Sequence, residues 1–301
     1  MMLGRQKGTR GRRGFRKGRT SRGKRGTAFK IGTVGAIAVA VTAAGLAANE
    51  MMDIERPDAN FCFVRDDQAQ VAVLIDNSVK GHTGQQLRDY ETGLLAPYAQ
   101  APANARIEFF TTALDGQGSI ARPVFSICKP PETPAEREAM GAPSKPAPYL
   151  KRQAEEARER YRAAIADVLA ATQDQDRVAL DSPILELVQA VSRHDGFQGR
   201  TRSLVLVTDG IQNSETAEFC VKKGHMPSFK RFAERPGYVF VKPRPLTGID
   251  VTLLLVEYGK LPSGPLRYCT NAELRTWWPD YFKGNGARSV ELYRLRAGLG
   301  S

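Results

Sequence analysis

Four oxygen-bearing side chains occupy positions from which they could bind a hard metal ion together. Asp76 and Ser78 follow the apolar run QVAVLI, and Asp209 follows a second apolar run, RSLVLVT. Ser182 stands before Pro183, at the start of a segment with helical periodicity. Carboxylate and hydroxyl oxygens suit Mg²⁺, which proteins hold through one or two carboxylates with water in the remaining positions. These residues therefore predict a divalent-cation site, provided that the fold brings them together.

Strand-like and helix-like segments alternate along most of the chain, which predicts an α/β domain with a mostly parallel sheet. Continuous apolar runs such as those before the two aspartates are typical of central strands covered on both faces. A long amphipathic helix is predicted over residues 149–172. Two loop-rich inserts are predicted at about 129–148 and 212–248. Ligands of an open α/β sheet lie beyond the carboxyl ends of its strands, so both aspartates are expected at that edge.

The segments DNS, DSP and TDG, which contain the four residues, occur in an informative order. They resemble the D-x-S-x-S, Thr-Pro and Asp-Gly elements of von Willebrand factor A (vWA) domains, with serine in place of the threonine. The resemblance covers about residues 66–300. It implies a doubly wound, six-stranded sheet with helices on both faces, ordered 3-2-1-4-5-6, in which only the third strand is antiparallel. It also implies a metal-ion-dependent adhesion site for Mg²⁺ or another divalent cation, completed by an acidic side chain of a protein partner.

The chain departs from that pattern at Lys80, which stands where the motif has its second serine. One interpretation is that Thr83 supplies the missing hydroxyl, with neighbouring glycines allowing the loop to take a different path. The other is that the Lys80 ammonium lies between Asp76 and Asp209 and replaces the metal. An ammonium there would repel a divalent cation, so the two interpretations exclude each other and both stay open.

Each of these residues also has a simpler explanation when it is considered alone. Asp76 and Asp209 could cap the helices that follow their strands, and a serine before a proline, as at Ser182, is typical of a helix start. Trp277 and Trp278 are expected to pack in the core. The metal-site hypothesis depends on the combination, since three unrelated caps would not be expected to reproduce one family's order.

Four cysteines, none in a CxxC pair, favour two disulfides in an oxidising compartment over a zinc ribbon or a redox motif. Buried free thiols are the alternative. In the implied topology, Cys220 and Cys269 each follow a parallel strand at the edge of the site. Cys62 precedes the first strand and Cys128 ends the antiparallel one, at the opposite edge. We therefore predict the pairs Cys220–Cys269 and Cys62–Cys128, one of three possible connectivities.

The amino-terminal part differs sharply from the rest in charge. Residues 1–30 are Gly- and Arg-rich and carry twelve of the 44 Lys and Arg, leaving 32 basic residues against 32 acidic ones. The first segment is predicted to be a disordered cytoplasmic tail, with a nucleic-acid-binding arm as the alternative. The neutral remainder argues against nucleic-acid binding by the folded domain.

Residues 31–48 contain no charged side chain and, as a helix, would span about 27 Å, close to the ~30 Å hydrocarbon thickness. We predict an uncleaved transmembrane anchor, followed by a linker at residues 49–65. The basic tail predicts a cytoplasmic amino terminus. A single-pass protein of a bacterial inner membrane, with a periplasmic domain, is the resulting prediction; a cleaved signal peptide is the alternative.

Three function classes follow. The first is a membrane-anchored, extracytoplasmic binding module that recognises a protein partner at the carboxyl edge of the sheet. The second is a metal-dependent hydrolase that uses Asp76 and Asp209, for which His82 is the candidate general base. The third is a structural scaffold of an envelope complex with an inert site. The sequence contains no nucleophile elbow, HExxH motif or phosphate-binding glycine loop, which disfavours an enzyme.

Overall fold

The computed structural model divides the chain into two compact units, Met1–Ile54 and Glu55–Ser301. The residues that the structure describes all belong to the second unit: 57–63, 68–78, 82–112, 122–173, 181–221, 226–257 and 268–296. The predicted tail and anchor, residues 1–48, lie outside them. Within the described residues, no helix is both long and apolar enough to cross a membrane.

A six-stranded sheet organises the second unit. Its order is β3-β2-β1-β4-β5-β6; β2 and β3 pair antiparallel, and the other neighbours pair parallel. The strands are β1 (Gln70–Ile75), β2 (Arg106–Thr111), β3 (Phe125–Cys128), β4 (Arg202–Thr208), β5 (Ile249–Glu257) and β6 (Ser289–Arg296). The prediction of a six-stranded, mostly parallel α/β sheet is confirmed, and the strand order is the one that the resemblance implied.

Six α-helices connect the strands among the described residues. They are α1 (Gly84–Gln100), α2 (Pro134–Ala139), α3 (Ala147–Gln173), α4 (Ile184–Arg193), α5 (Phe229–Ala233) and α6 (Asn271–Gly284). Thr83, Thr133 and Thr270 start α1, α2 and α6 with capping boxes, in which the threonine hydroxyl accepts a backbone N–H three residues on. Local sequence thus determines where these helices begin.

The helices cover both faces of the sheet, and this explains the unbroken apolar runs of the central strands. In β1, Val73 and Ile75 belong to the core beneath α1 and α3, whereas Leu74 belongs to the core beneath α4 and α6. All three side chains are fully buried. The buried residues of α3 recur at helical spacing, as expected of the predicted amphipathic helix. One of them is Tyr161, whose hydroxyl donates to the carbonyl of Leu94 in α1 at 2.6 Å.

The structure contains the disulfides Cys62–Cys128 and Cys220–Cys269, the two pairs predicted from the sequence. All four cysteines are therefore paired. The first bond ties the segment before β1 to the end of β3. The second ties the insert after β4 to the loop before α6. Two disulfides are consistent with an oxidising, extracytoplasmic compartment.

The inserts contain more structure than the sequence predicted. The Pro-rich segment 129–148 was expected to be a loop, yet it contains α2, because Thr133 and Pro134 form a helix start that proline supports. The segment 212–248 contains α5 and a 3₁₀ turn at Pro236–Phe240.

Glu257 joins the ends of β5 and β6 to α6. It is 5% exposed and accepts hydrogen bonds from Arg294 Nε and Nη2, at 2.7 and 2.6 Å, and from Arg275 Nη1. Burial alone would raise the pKa of Glu257, but the hydrogen bonds and charges of the two arginines outweigh burial and lower that pKa. The carboxylate is thus more stable in the folded state than in the unfolded chain.

Glu257→Gln is expected to lower the free energy of unfolding at pH 7 by about 1–2 kcal/mol, because the charge-assisted hydrogen bonds with two arginines are weakened or lost. The pKa of Glu257 in the folded state lies below the ordinary 4.5. The stabilisation that its carboxylate gives to the folded state is therefore complete above pH 4.5 and is lost as the pH falls through the folded pKa. Urea unfolding at pH 7 and at about pH 3 measures this loss, with exposed Glu138→Gln as control. An equal penalty at both pH values would contradict the charge argument.

Candidate functional site at the carboxyl edge of the sheet

Asp76, directly after β1, is the centre of a buried cluster of oxygen atoms and is 1% exposed. Its Oδ1 accepts hydrogen bonds from the backbone N–H and the hydroxyl of Ser78, at 3.0 and 2.7 Å. Its Oδ2 accepts from the hydroxyls of Ser182 and Thr208, at 2.9 and 2.7 Å. Burial raises the pKa of Asp76, although each of these hydrogen bonds acts to lower it. A carboxyl group with four donors is thus held at the edge of the sheet.

Parallel pairing places two of these groups side by side. Ile75 of β1 pairs with Val207 of β4, and the N–H of Asp76 donates to the carbonyl of Val207 at 2.9 Å. The next residue of β4, Thr208, therefore lies opposite Asp76. Thr208 could not be identified from the sequence, because its role depends on the register between two strands more than a hundred residues apart. The only signal in the sequence is a hydroxyl residue directly before Asp209.

Ser182 is positioned by backbone contacts with the loop that follows β4. Its N–H donates to the carbonyl of Asn213 at 2.7 Å, and the N–H of Asn213 donates back at 2.9 Å. The simpler explanation, in which Ser182 caps the following helix, is not what the structure shows: Pro183 is the N-cap of α4, and there is no side-chain cap bond. The hydroxyl instead donates to Asp76, because a buried charged acceptor forms the stronger hydrogen bond.

Asp209 lies on the same edge, immediately after Thr208, and is 5% exposed. Its Oδ1 accepts the N–H of Ile211 at 2.8 Å. Gly210 has a φ of +78° and donates its N–H to the Thr208 hydroxyl at 2.8 Å. A Cβ on Gly210 would lie 2.7 Å from Nε1 of Trp278, which donates to the Gly210 carbonyl at 3.0 Å. Glycine is therefore required both by the backbone angle and by the close indole ring.

A second group of hydrogen bonds connects the loop after Asp209 to α4. Gln212 is fully buried; its Oε1 accepts the N–H of Leu185 and its Nε2 donates to Glu186, both at 2.9 Å. The hydroxyl of Ser214 also donates to Glu186, at 2.6 Å. These contacts fix the relative positions of the two loops that supply Ser182 and Asp209. No local sequence pattern indicates these contacts.

Of the two residues on which the sequence alternatives depended, the structure describes only Thr83, and its hydroxyl is not bonded to Asp76. Thr83 caps α1: its hydroxyl accepts the N–H of Gln86 at 3.2 Å. Lys80 lies outside the described residues. His82, the candidate base, packs on the ring of Tyr90 with centroids 5.6 Å apart, and burial lowers its pKa.

The donor set fits a hard cation in its chemistry. A hydroxyl that donates its proton to Asp76 keeps lone pairs on its oxygen, so Ser78 and Ser182 can face a cation while remaining bonded to the carboxylate. Asp209 adds a second carboxylate on the same edge. Among the described residues, no group of three or more His, Cys, Asp or Glu side chains is arranged to hold a metal. The candidate centre therefore depends on hydroxyls more than on charges.

A groove of about 760 Å³ lies elsewhere, between α1 and strands β4, β5 and β6. Its lining includes Gly93 and Ala96 of α1, Ser203 of β4 and Thr252 of β5, but none of the residues bonded to Asp76. The candidate site is therefore defined by its converging side chains and not by this concavity.

No protein-family model matches the chain, and no curated protein matches its sequence.

Proposed function

We propose that residues 66–300 are a vWA-like binding module, which holds Mg²⁺ or another divalent cation at Asp76, Ser78, Ser182 and Asp209. An acidic side chain of a protein partner completes the coordination of the cation. The observation that carries the proposal is the convergence of hydroxyls from three separate segments on one buried carboxylate. Oxygen ligands with one or two carboxylates are what Mg²⁺ requires.

The energetics of Asp76 support a cation rather than a purely structural role. Burying a carboxylate among neutral groups is costly, even when every lone pair accepts a hydrogen bond. A structural polar cluster could be built at a lower cost from an amide or a hydroxyl. A carboxylate is the better choice where a positive charge binds beside it, and this charge would offset the desolvation of Asp76.

The module is located outside the cytoplasm in this proposal. The two disulfides are consistent with export, and residues 31–48 are proposed as the membrane anchor that holds the module outside the cytoplasm. A bacterial inner membrane with a periplasmic domain fits the basic tail before the anchor.

Adding Mg²⁺ or Mn²⁺ to the full chain is expected to raise its unfolding temperature. At a hundred times the dissociation constant the gain is about 2.7 kcal/mol, or about 5–10 °C for a domain of this size. Asp76→Ala and Asp209→Ala should abolish the shift, because each removes a carboxylate ligand. Asp195→Ala is the matched control: this aspartate is exposed and follows α4 at the opposite edge. An equal loss in all three variants would mean that the cation acts elsewhere.

Lys80→Ser separates the two sequence alternatives. A cation effect in the parent chain that Lys80→Ser leaves in place favours the metal site. An effect that appears only in Lys80→Ser favours an ammonium in the place of the metal, and with it the scaffold function. No effect in either chain rejects a metal at this edge.

A further inference from the structure

Two neighbouring apolar side chains project from the insert after β4. Val239 and Phe240 are 62% and 71% exposed, and they end the 3₁₀ turn Pro236–Phe240. Single exposed apolar residues are common on protein surfaces, but two adjacent ones on a folded turn are a candidate contact surface. We call Val239 and Phe240 the apolar tip.

The turn is fixed, so the apolar tip cannot fold back into the core. Tyr238 and Val241, on either side of it, are buried, and the Tyr238 hydroxyl donates to Asn285 at 2.8 Å. Gln189 of α4 donates through Nε2 to the carbonyl of Phe240 at 2.8 Å. With its neighbours anchored, the backbone holds both tip side chains outward. Their exposure is a property of the fold and not of a loose loop.

Basic residues flank the apolar tip along the chain. The segment 230–244 contains one acidic residue, Glu234, and five basic ones. The five basic side chains are all exposed, and among the described residues none forms a salt bridge with a carboxylate: Lys230, Arg231, Arg235, Lys242 and Arg244. These five residues form the basic collar of the tip. The rest of the chain after residue 30 has 27 basic and 31 acidic residues, so this concentration of positive charge is local.

We propose that this surface binds an anionic phospholipid bilayer, with the apolar tip in the headgroup region and the basic collar on the phosphates. A small convex tip suits a bilayer, which yields around inserted side chains, whereas a protein partner would have to offer a matching pocket. A stable protein interface also buries about 800 Å² on each side, more than two side chains supply.

The position of the tip agrees with this proposal. It lies beside α4 and ahead of β5, at the edge where the parallel strands begin, whereas Asp76 lies at the edge where they end. β1 begins at the same edge of the sheet as the tip and ends at the opposite edge, where Asp76 lies. Bilayer contact through the tip therefore leaves the candidate cation site free, and the proposal stands whether or not that site binds metal.

Phe240→Trp in the full chain tests the contact at the tip, because tryptophan fluorescence at position 240 reports on that position alone. The result does not depend on whether another segment of the chain also binds the vesicle. The vesicles are phosphatidylcholine with one third phosphatidylglycerol, and brominated acyl chains quench any tryptophan that inserts. Val124→Trp is the matched control, since Val124 is also 62% exposed but lies beside β3 at the far side of the sheet. The parent chain, with buried Trp277 and Trp278, gives the background.

We expect quenching at position 240 in the anionic vesicles, little in pure phosphatidylcholine, and none at position 124. Adding Lys230→Glu and Lys242→Glu to Phe240→Trp should reduce the quenching by about half or more, because phosphate attraction is replaced by repulsion. Equal quenching at positions 124 and 240, or in both lipids, overturns the proposal. An absence of quenching at position 240 also overturns the proposal, and an acidic protein would then be the candidate partner of the tip.

Discussion

Trp278→Ala is expected to lower the free energy of unfolding by about 3–5 kcal/mol, since it empties a large buried volume. The ring is fully buried between Trp277, Tyr281 and Phe282, with centroids 5.0–6.1 Å away. The change also removes the indole N–H that donates to the carbonyl of Gly210. We therefore expect both a lower midpoint in urea and a weaker response to Mg²⁺, because the loop that carries Asp209 loses its support.

Two further variants separate these effects. Trp278→Phe keeps most of the ring but not the N–H, so its cost should be smaller, about 2 kcal/mol, while the Gly210 carbonyl still loses its donor. Tyr293→Ala removes an aromatic ring that is 53% exposed, and should change the free energy of unfolding by less than about 0.5 kcal/mol. A cost for Trp278→Ala no larger than that of Tyr293→Ala would contradict the packing argument.

The sheet was predictable because its central strands are buried on both faces. β1, β4 and β5 each contain a continuous apolar run, which can be recognised without knowing the partner strands. The 27-residue α3 was equally clear, since a stripe of buried residues recurs at helical spacing. The short helix α2 was missed because its six residues lie among prolines that favour a loop.

In the candidate site, only the residues that directly follow a strand could be predicted from the sequence. Asp76 and Asp209 end neighbouring strands, and the edge that they share follows from parallel pairing. For Ser182 the sequence left two roles open, because a serine before a proline can be a helix cap or a hydroxyl of the site, and the structure shows its hydroxyl donating to Asp76. Thr208 and Gln212 could not be found, since their contacts depend on strand register and on a loop path that no local pattern encodes.

Asp76→Asn is expected to change stability in opposite directions with and without a divalent cation. The new amide would keep an oxygen for the two donors of Ser78, and its nitrogen could donate to the hydroxyls of Ser182 and Thr208. A partner atom thus remains at position 76 for each of the four groups while the buried charge is removed, although the Ser182 and Thr208 hydroxyls must accept where they now donate. In EDTA the variant should therefore be more stable than the parent by about 1–2 kcal/mol, or several degrees in unfolding temperature.

With saturating Mg²⁺ the order should reverse, because only the parent retains the carboxylate that draws the cation. Asp76→Ala is the companion variant: it removes the charge but leaves the Ser182 and Thr208 hydroxyls with no hydrogen-bond partner at position 76, so it should be less stable than Asp76→Asn under both conditions. If the parent were the more stable protein in EDTA as well, Asp76 would be a structural acceptor. A residue that weakens the empty fold and strengthens the loaded one is what a cation ligand should be.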